Sequence, residues 1–251
     1  MNYYKCTIAY DGTDYCGWQM QPNCPTVTQA LQSTFYKVFG VEATIVGASR
    51  TDAGVHALGQ VVVCRTELDL DPKKLMWAWN NRLRSDVMIG SCERVDDSFH
   101  PQKNVLQKTY VYHFSCNRPL PHKARYCWYV RKKIDVEKLK ECLNVFIGTH
   151  DFRSFCTGDD MGDNTVRTID SIEVYYSVEE DTYSIEVKGK SFLRYMIRRM
   201  VGASLYVASH AYLPVDYIRT VLLACNPEHQ LPTAPAHGLF LNSIRYNEEK
   251  S

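Results

Sequence analysis

The sequence predicts an α+β protein made of two successive βαββαβ halves. Hydrophobic residues alternate with period two in some stretches and recur about every 3.6 residues in others, in the order strand, helix, strand, strand, helix, strand. The same order begins again near residue 105. Length and composition agree with this: 251 residues suit one large domain or two ordinary ones, and a hydrophobic content of 45% supplies a core.

In the first half, residues 3–10 (YYKCTIAY) read as a strand. Residues 27–39 (VTQALQSTFYKVF) read as a helix with Val27, Ala30, Leu31, Phe35 and Val38 along one stripe. Thr26 suits its N-cap and Gly40 its stop. EATIVGA (42–48) and QVVVCRT (60–66) are rich in β-branched residues. DPKKLMWAWNNRL (71–83) opens on Asp-Pro, a helix start, and DVMIGSCERV (86–95) closes the half as a strand. The second half follows with a strand at 106–116, a helix at 136–148 and strands at 165–177 and 181–189. A long helix at 191–208, an extra helix at 215–225 and a last strand at 238–246 complete it. This is a tandem ferredoxin-like arrangement, with 1–104 and 105–251 as the halves. Two antiparallel sheets side by side would leave a central cleft.

The net charge of +1 excludes a polycation but hides segregation. Residues 118–133 hold six Lys or Arg and no acid, and residues 188–199 hold five and no acid. Acids gather at 159–163 (DDMGD) and 179–181. Such a surface binds a polyanion although the whole chain is near neutral. The ten cysteines form no C-x-x-C pair, so reduced thiols fit better than a disulfide framework or a zinc site. The N-terminal MNYYKCTIAYDG runs directly into a strand, which predicts no signal peptide. The apolar run 200–215 is too short to span a bilayer. A soluble, cytoplasmic protein without membrane attachment is expected.

The segments outside the regular order are 11–25, 47–58, 117–132 and 150–164. Loops on a rigid sheet are where function concentrates. Residues 47–56 read GASRTDAGVH. A carboxylate such as Asp52 in a glycine-flanked loop serves as nucleophile, general base, metal ligand or turn cap, and the turn cap is commonest. No second acid or His stands nearby at ligand spacing, and Arg50 offers a fork suited to phosphate. Seventeen Tyr, nine Phe and four Trp beside two basic stretches suit unstacked bases next to a phosphate backbone. A lone carboxylate acting on a nucleoside points to the sugar anomeric carbon. Residue chemistry alone reaches an RNA- or nucleotide-handling α+β protein.

RTDAGVHA (50–57) followed by GQVV (59–62) resembles the signature of the TruA family of tRNA pseudouridine synthases. YDGTDYCGWQMQP (10–22), KTYVYHF (108–114), HDFRSFC (150–156), FLRYMIRRMVG (192–202) and PAHGLFL (235–241) are similar to further family segments, in the family's order. The resemblance implies isomerisation of uridine to pseudouridine in the anticodon arm of tRNA, at positions 38 to 40, by a homodimer that needs no cofactor or metal. It implies that Asp52 is the catalytic carboxylate and Tyr110 the active-site tyrosine. Tyr112 lies on the same strand face as Tyr110, so the strand alone does not select between them. The resemblance also implies that Arg198 pairs with Asp52 and that Leu239 walls the base pocket. Arg50 is expected to assist base flipping or hold a neighbouring phosphate. Arg194, on the helix face of Arg198 at i, i+4, is expected to meet RNA phosphate. His56 and His150 are expected to make structural hydrogen bonds.

Two departures from the family pattern stand out. Ser49 occupies a position where the family usually has Gly, and the HDF segment continues into the acidic 159–163 run. A non-catalytic tRNA-binding protein is the alternative; a metal-dependent nuclease lacks clustered ligands in the sequence.

Overall fold

The computed structural model describes residues 1–157 and 164–247. The acidic 159–163 segment therefore lies outside the described residues. The elements are β1 (Asn2–Tyr10), α1 (Val27–Phe39), β2 (Ala43–Gly47), β3 (His56–Thr66), α2 (Pro72–Asn80), β4 (Val87–Arg94) and β5 (Val105–Ser115). They continue with β6 (Trp128–Tyr129), α3 (Val136–Asn144), β7 (Gly148–Asp151), β8 (Val166–Ser177) and β9 (Thr182–Gly189). The chain ends with α4 (Met196–Ala208), α5 (Asp216–Ala224) and β10 (Leu239–Tyr246). The fold is mixed α+β. It forms two compact units, Met1–Lys108 with Phe240–Ser251, and Thr109–Leu239.

In the first unit, β1 pairs antiparallel with both β3 and β4, and β2 pairs antiparallel with β3. The order is β4-β1-β3-β2. Helix α1 forms where the sequence places it. The Thr26 side chain accepts from the Gln29 amide, and Gly40 takes a left-handed φ of 69° that ends the helix. Asp71 caps α2 by accepting from the Lys73 and Lys74 amides, with proline at the first position. The two helices meet through Phe35 and Trp79, whose rings lie edge-on at 4.9 Å, and the Trp79 indole donates to the Leu31 carbonyl. Leu31, Phe35, Leu75 and Trp79 are fully buried, each contributing about 1.5–3 kcal/mol of transfer free energy.

Strand β3 divides its edge between two partners. Its C-terminal part, Val62–Thr66, holds β2, while His56 and Ala57 pair in parallel with Phe240 and Leu241 of β10. An all-antiparallel arrangement is therefore corrected here. So is the start of β3, which begins at His56 and not near residue 60. Pairing of Ala57 with Tyr10 and burial of His56 and Ala57 extend the strand into the loop that sequence assigns to 47–58. The chain leaves the sheet after Gly47 and re-enters at His56, so residues 48–55 rise between β2 and β10.

In the second unit the order is β5-β9-β8-β7, with β6 parallel on β5. β6 falls within 117–132, which reads as loop in sequence. α3 stops at Asn144, short of the expected 148, and β7 takes up residues 148–151. Phe146, Phe152 and Phe155 fill the core beneath these elements. α4 begins at Met196 and not at 191, because Tyr195 adopts a left-handed φ of 61° that a continuing helix excludes.

Cys16 and Cys24 are joined by a disulfide with Cα atoms 6.0 Å apart, which the preference for reduced thiols over a disulfide framework does not anticipate, while the other eight cysteines are free. The loop folds back on itself through a Gln21–Cys24 bridge, which brings the two sulfurs together. Among the described residues, no helix is long and apolar enough to cross a membrane.

Candidate active site

The loop that carries Asp52 is held at almost every residue. Ala48 donates its amide to the Val61 carbonyl. At Ser49 the backbone loses its strand partner, and the buried Gln60 side chain takes over. Its Oε1 accepts from the Ser49 amide at 3.2 Å and its amide donates to the Ser49 carbonyl at 2.6 Å. The Thr51 hydroxyl shares a 2.7 Å hydrogen bond with the Tyr10 phenol, and the Thr51 carbonyl accepts from the Trp18 amide. The Val55 amide closes a turn onto the Asp52 carbonyl, and the Gly54 amide, at φ 76°, donates to the Tyr15 carbonyl. His56 is buried, accepts from the Gly12 amide at Nδ1 and stacks on Phe240, as expected for a structural histidine.

Segment 11–25 wraps this loop, and its glycines are contact points. A Cβ on Gly12 would lie 2.0 Å from the Val55 carbonyl oxygen, and one on Gly17 would lie 2.6 Å from the Thr51 oxygen. A Cβ on Gly47 would meet the buried Trp18 indole at 2.5 Å. At Gly12 and Gly17 backbone approaches backbone too closely for any side chain, and at Gly47 the indole leaves no room for one. Within this frame Arg50 is exposed and Asp52 half-buried, while Ser49, Thr51 and Val55 are buried. The clamped loop thus presents one cation and one carboxylate. A cavity of about 550 Å³ in the same unit is lined by Tyr15, Ser33, Thr34, Lys37, Arg82 and Arg84, and does not include Arg50 or Asp52.

The other sequence-selected residues belong to the second unit. Tyr110 is buried and meets Phe192 edge-on at 5.3 Å. Tyr112, two residues on, donates its phenol to the Pro235 carbonyl at 2.9 Å, packs against Gly238, and is driven to a raised pKa by burial. The structure thereby separates two tyrosines that the strand period leaves equivalent. Arg198 sits in the first turn of α4; its Nε donates to the Ala234 carbonyl at 2.8 Å while its own carbonyl accepts from the Ala234 amide. Gly202 permits this approach, since a Cβ there would lie 2.2 Å from the Pro232 oxygen. Arg194 precedes α4, so the expected i, i+4 helix face with Arg198 does not exist. Both guanidinium groups instead flank the Tyr195 ring, at 5.2 and 4.9 Å. Leu239 is buried at the start of β10. His150 makes a structural contact to the Ile147 carbonyl.

The family described as tRNA pseudouridine synthase matches residues 7–102 and 131–247. The tRNA pseudouridine synthase A 1 of Protochlamydia amoebophila is 37% identical over 99% of this chain and 98% of its own length. This chain belongs to the tRNA pseudouridine synthase family. The synthase A of Brachyspira hyodysenteriae is also 37% identical, over 99% of this chain and 100% of its own. That of Thermoanaerobacter sp. (strain X514) is 36% identical over 95% and 97%. These full-length matches place the chain in the TruA branch, and as a pseudouridine synthase it is an isomerase.

Sequence reasoning about this synthase missed several supports of the loop. Gln60, Trp18 and Lys108 hold it from 11 to 60 residues away in sequence, with no local pattern to announce them. Arg199 likewise escapes notice; it donates to the Ser154 and Cys156 carbonyls and so ties the HDFRSFC segment to α4. Among the described residues, no group of three His, Cys, Asp or Glu is arranged to hold a metal ion.

Proposed function

We propose that this isomerase converts uridine to pseudouridine in the anticodon arm of tRNA, at positions 38 to 40, with Asp52 as the catalytic carboxylate. The observation that carries the reading is the Ala48–Val55 loop, which is hydrogen-bonded at Ala48, Ser49, Thr51, Gly54 and Val55 and holds a half-buried Asp52 two residues from an exposed Arg50. Preorganised groups of this kind lower a barrier because little reorganisation remains at the moment of reaction.

In the proposed reaction the C1′–N1 bond of the target uridine breaks, the uracil turns, and C5 joins C1′. The proton on C5 is then lost and N1 gains one, so no redox partner is required. Asp52 acts beneath C1′, either bonding to it or stabilising its positive charge. Tyr110 stacks on the uracil and assists loss of the C5 proton. Arg198 pairs with Asp52 and favours its ionised form. Leu239 walls the base, Arg50 aids extrusion of the nucleotide, and Arg194 meets phosphate. Extrusion costs a few kcal/mol, which stacking and phosphate contacts offset.

The finer architecture belongs to the same proposal. Tandem ferredoxin-like halves are supported by the β4-β1-β3-β2 order of the first unit and by the two separate stretches that match the family, and a central RNA cleft is proposed with them. A cytoplasmic homodimer that shares one tRNA completes the reading. The test is tritium release from tRNA labelled at uridine C5. Wild-type protein releases tritium from transcripts with uridine at 38 to 40, and Asp52→Ala does not. No release from any such transcript that the protein binds refutes the proposal.

A further inference from the structure

The carboxylate loop has a further support that the reaction does not obviously need. Among the described residues β2 pairs with β3 alone, and the carbonyls at its end and just beyond it are received by side chains. Gln102 donates its side-chain amide to the Gly47 carbonyl at 2.9 Å. Lys108, at the start of β5, donates its ammonium to the Ala48 carbonyl at 2.8 Å and to the Ser49 hydroxyl at 3.1 Å. Segment 102–108 thus does with side chains what a neighbouring strand would do with its backbone. It acts on the two residues that immediately precede Arg50-Thr51-Asp52. The second contact exists only because residue 49 is serine; glycine, the residue usual in the family at this place, has no oxygen to offer.

We propose that Lys108 and the Ser49 hydroxyl form a paired anchor that fixes the position of Asp52, making Lys108 a positioning residue of the isomerase and Ser49 its chain-specific partner. The inference rests on Asp52 being the catalytic carboxylate. Gln60 fixes the amide and carbonyl of Ser49 from one side, and Lys108 fixes Ala48 and the Ser49 side chain from another. Two independent grips prevent the loop from rotating about the axis that either grip alone would leave free. Half-burial of Lys108 lowers its pKa to about 8, as a cation directed inward would show. An ammonium that served chiefly to collect RNA phosphate would instead belong to an exposed residue such as Lys133.

Rates distinguish positioning from RNA binding. A misplacement of about 1 Å costs up to about 100-fold in rate without removing any substrate contact. The experiment measures kcat by tritium release and tRNA Kd by filter binding for Lys108→Met, Ser49→Ala, Ser49→Gly, the Lys108→Met/Ser49→Ala double variant and Asp52→Ala. Lys108→Met is expected to lower kcat by about 10- to 100-fold with Kd within about twofold. Ser49→Ala and Ser49→Gly are expected to fall about equally, by severalfold, although glycine restores the family residue. The double variant is expected to be slower than Lys108→Met by much less than the product of the two single effects, since either single change already removes the ammonium–hydroxyl contact. Unchanged kcat in Lys108→Met overturns the proposal, as does a raised Kd with unchanged kcat, or full additivity in the double variant. If Lys108→Met does not fold, the Ser49 pair decides: wild-type rates in Ser49→Gly overturn it. Activity retained in Asp52→Ala overturns the catalytic reading itself, and Asp52→Ala inactive beside an unimpaired Lys108→Met overturns the anchor alone.

Discussion

Burying the Lys108 ammonium has a cost that can be measured as a pH dependence of stability. Removal from water lowers its pKa from the ordinary lysine value of about 10.4 to about 8 in the folded protein. The folded state therefore holds fewer protons than the unfolded state between these values. Where the unfolded state binds more protons, stability rises with pH. The penalty is fully present below pH 8 and is relieved as pH climbs toward the unfolded pKa. The whole shift corresponds to about 3 kcal/mol at about 1.4 kcal/mol per unit. Between about pH 7.5 and about pH 9.5 the relieved part is about 2 kcal/mol. The perturbation is Lys108→Met, which keeps the aliphatic stem and removes the titrating group. Urea unfolding of both proteins at the two pH values gives four free energies. Thiols and phenols shared by both proteins cancel in the difference. Wild type is expected to gain about 2 kcal/mol on the variant from the lower to the higher pH. A difference that stays flat, or moves the other way, refutes the claim that this amine is held charged in a desolvated place.

Three further outcomes follow from the same contacts. Gly47→Ala forces a methyl into the Trp18 indole and is expected to cost about 1–3 kcal/mol, read as a fall in melting temperature of about 2–4 °C per kcal/mol. Tyr112→Phe leaves the Pro235 carbonyl without its phenol donor and is expected to lose about 1–2 kcal/mol of stability, while Tyr110→Phe is expected to lower kcat by at least about tenfold with tRNA affinity held; an unchanged kcat in Tyr110→Phe refutes the assignment of Tyr110. If binding rests on phosphate contacts from the basic stretches 118–133 and 188–199, as proposed, affinity for tRNA is expected to fall by about 10³-fold from about 50 to about 200 mM salt, measured by filter binding.

What the sequence made legible was what is encoded locally. α1 ends where Thr26 and Gly40 place it, and α2 opens at Asp71-Pro72, because caps act within one turn. The start of α4 was not legible. Residues 191–195 carry helix-compatible side chains, and nothing local reports that Tyr195 turns left-handed between two guanidinium groups. β6 and the parallel pairing of β10 with β3 were equally hidden, since each depends on a partner distant in sequence. Asp52 was singled out through motif resemblance, but the residues that immobilise it were not. Gln60 reads as one polar residue at the head of a buried strand, and Lys108 as one base before two tyrosines. Their partners, 11 and 59 to 60 residues away, appear only once the chain is folded.

The contacts also change how the signature should be read. Within 47–56 only Arg50 and Asp52 offer side-chain charge to a ligand. Gly47, Thr51, Gly54 and His56 face Trp18, Tyr10, Tyr15 and Gly12, which all come from the other signature segment of the first unit. The two segments are therefore one packing unit written in two places. On the proposed chemistry, a carboxylate that meets a sugar carbon within a fraction of an ångström needs a loop with almost no freedom, and a loop has no ladder of its own to supply this. Here the ladder is replaced by glycine contacts on one side, the Gln60 amide on another and the Lys108 ammonium on a third. Substitutions at Tyr10, Gly12 or Gly17 should then reach the chemistry through the same coordinate as Lys108→Met, lowering kcat while tRNA affinity holds. Most of the signature would then act on the position of one carboxylate, not on the RNA.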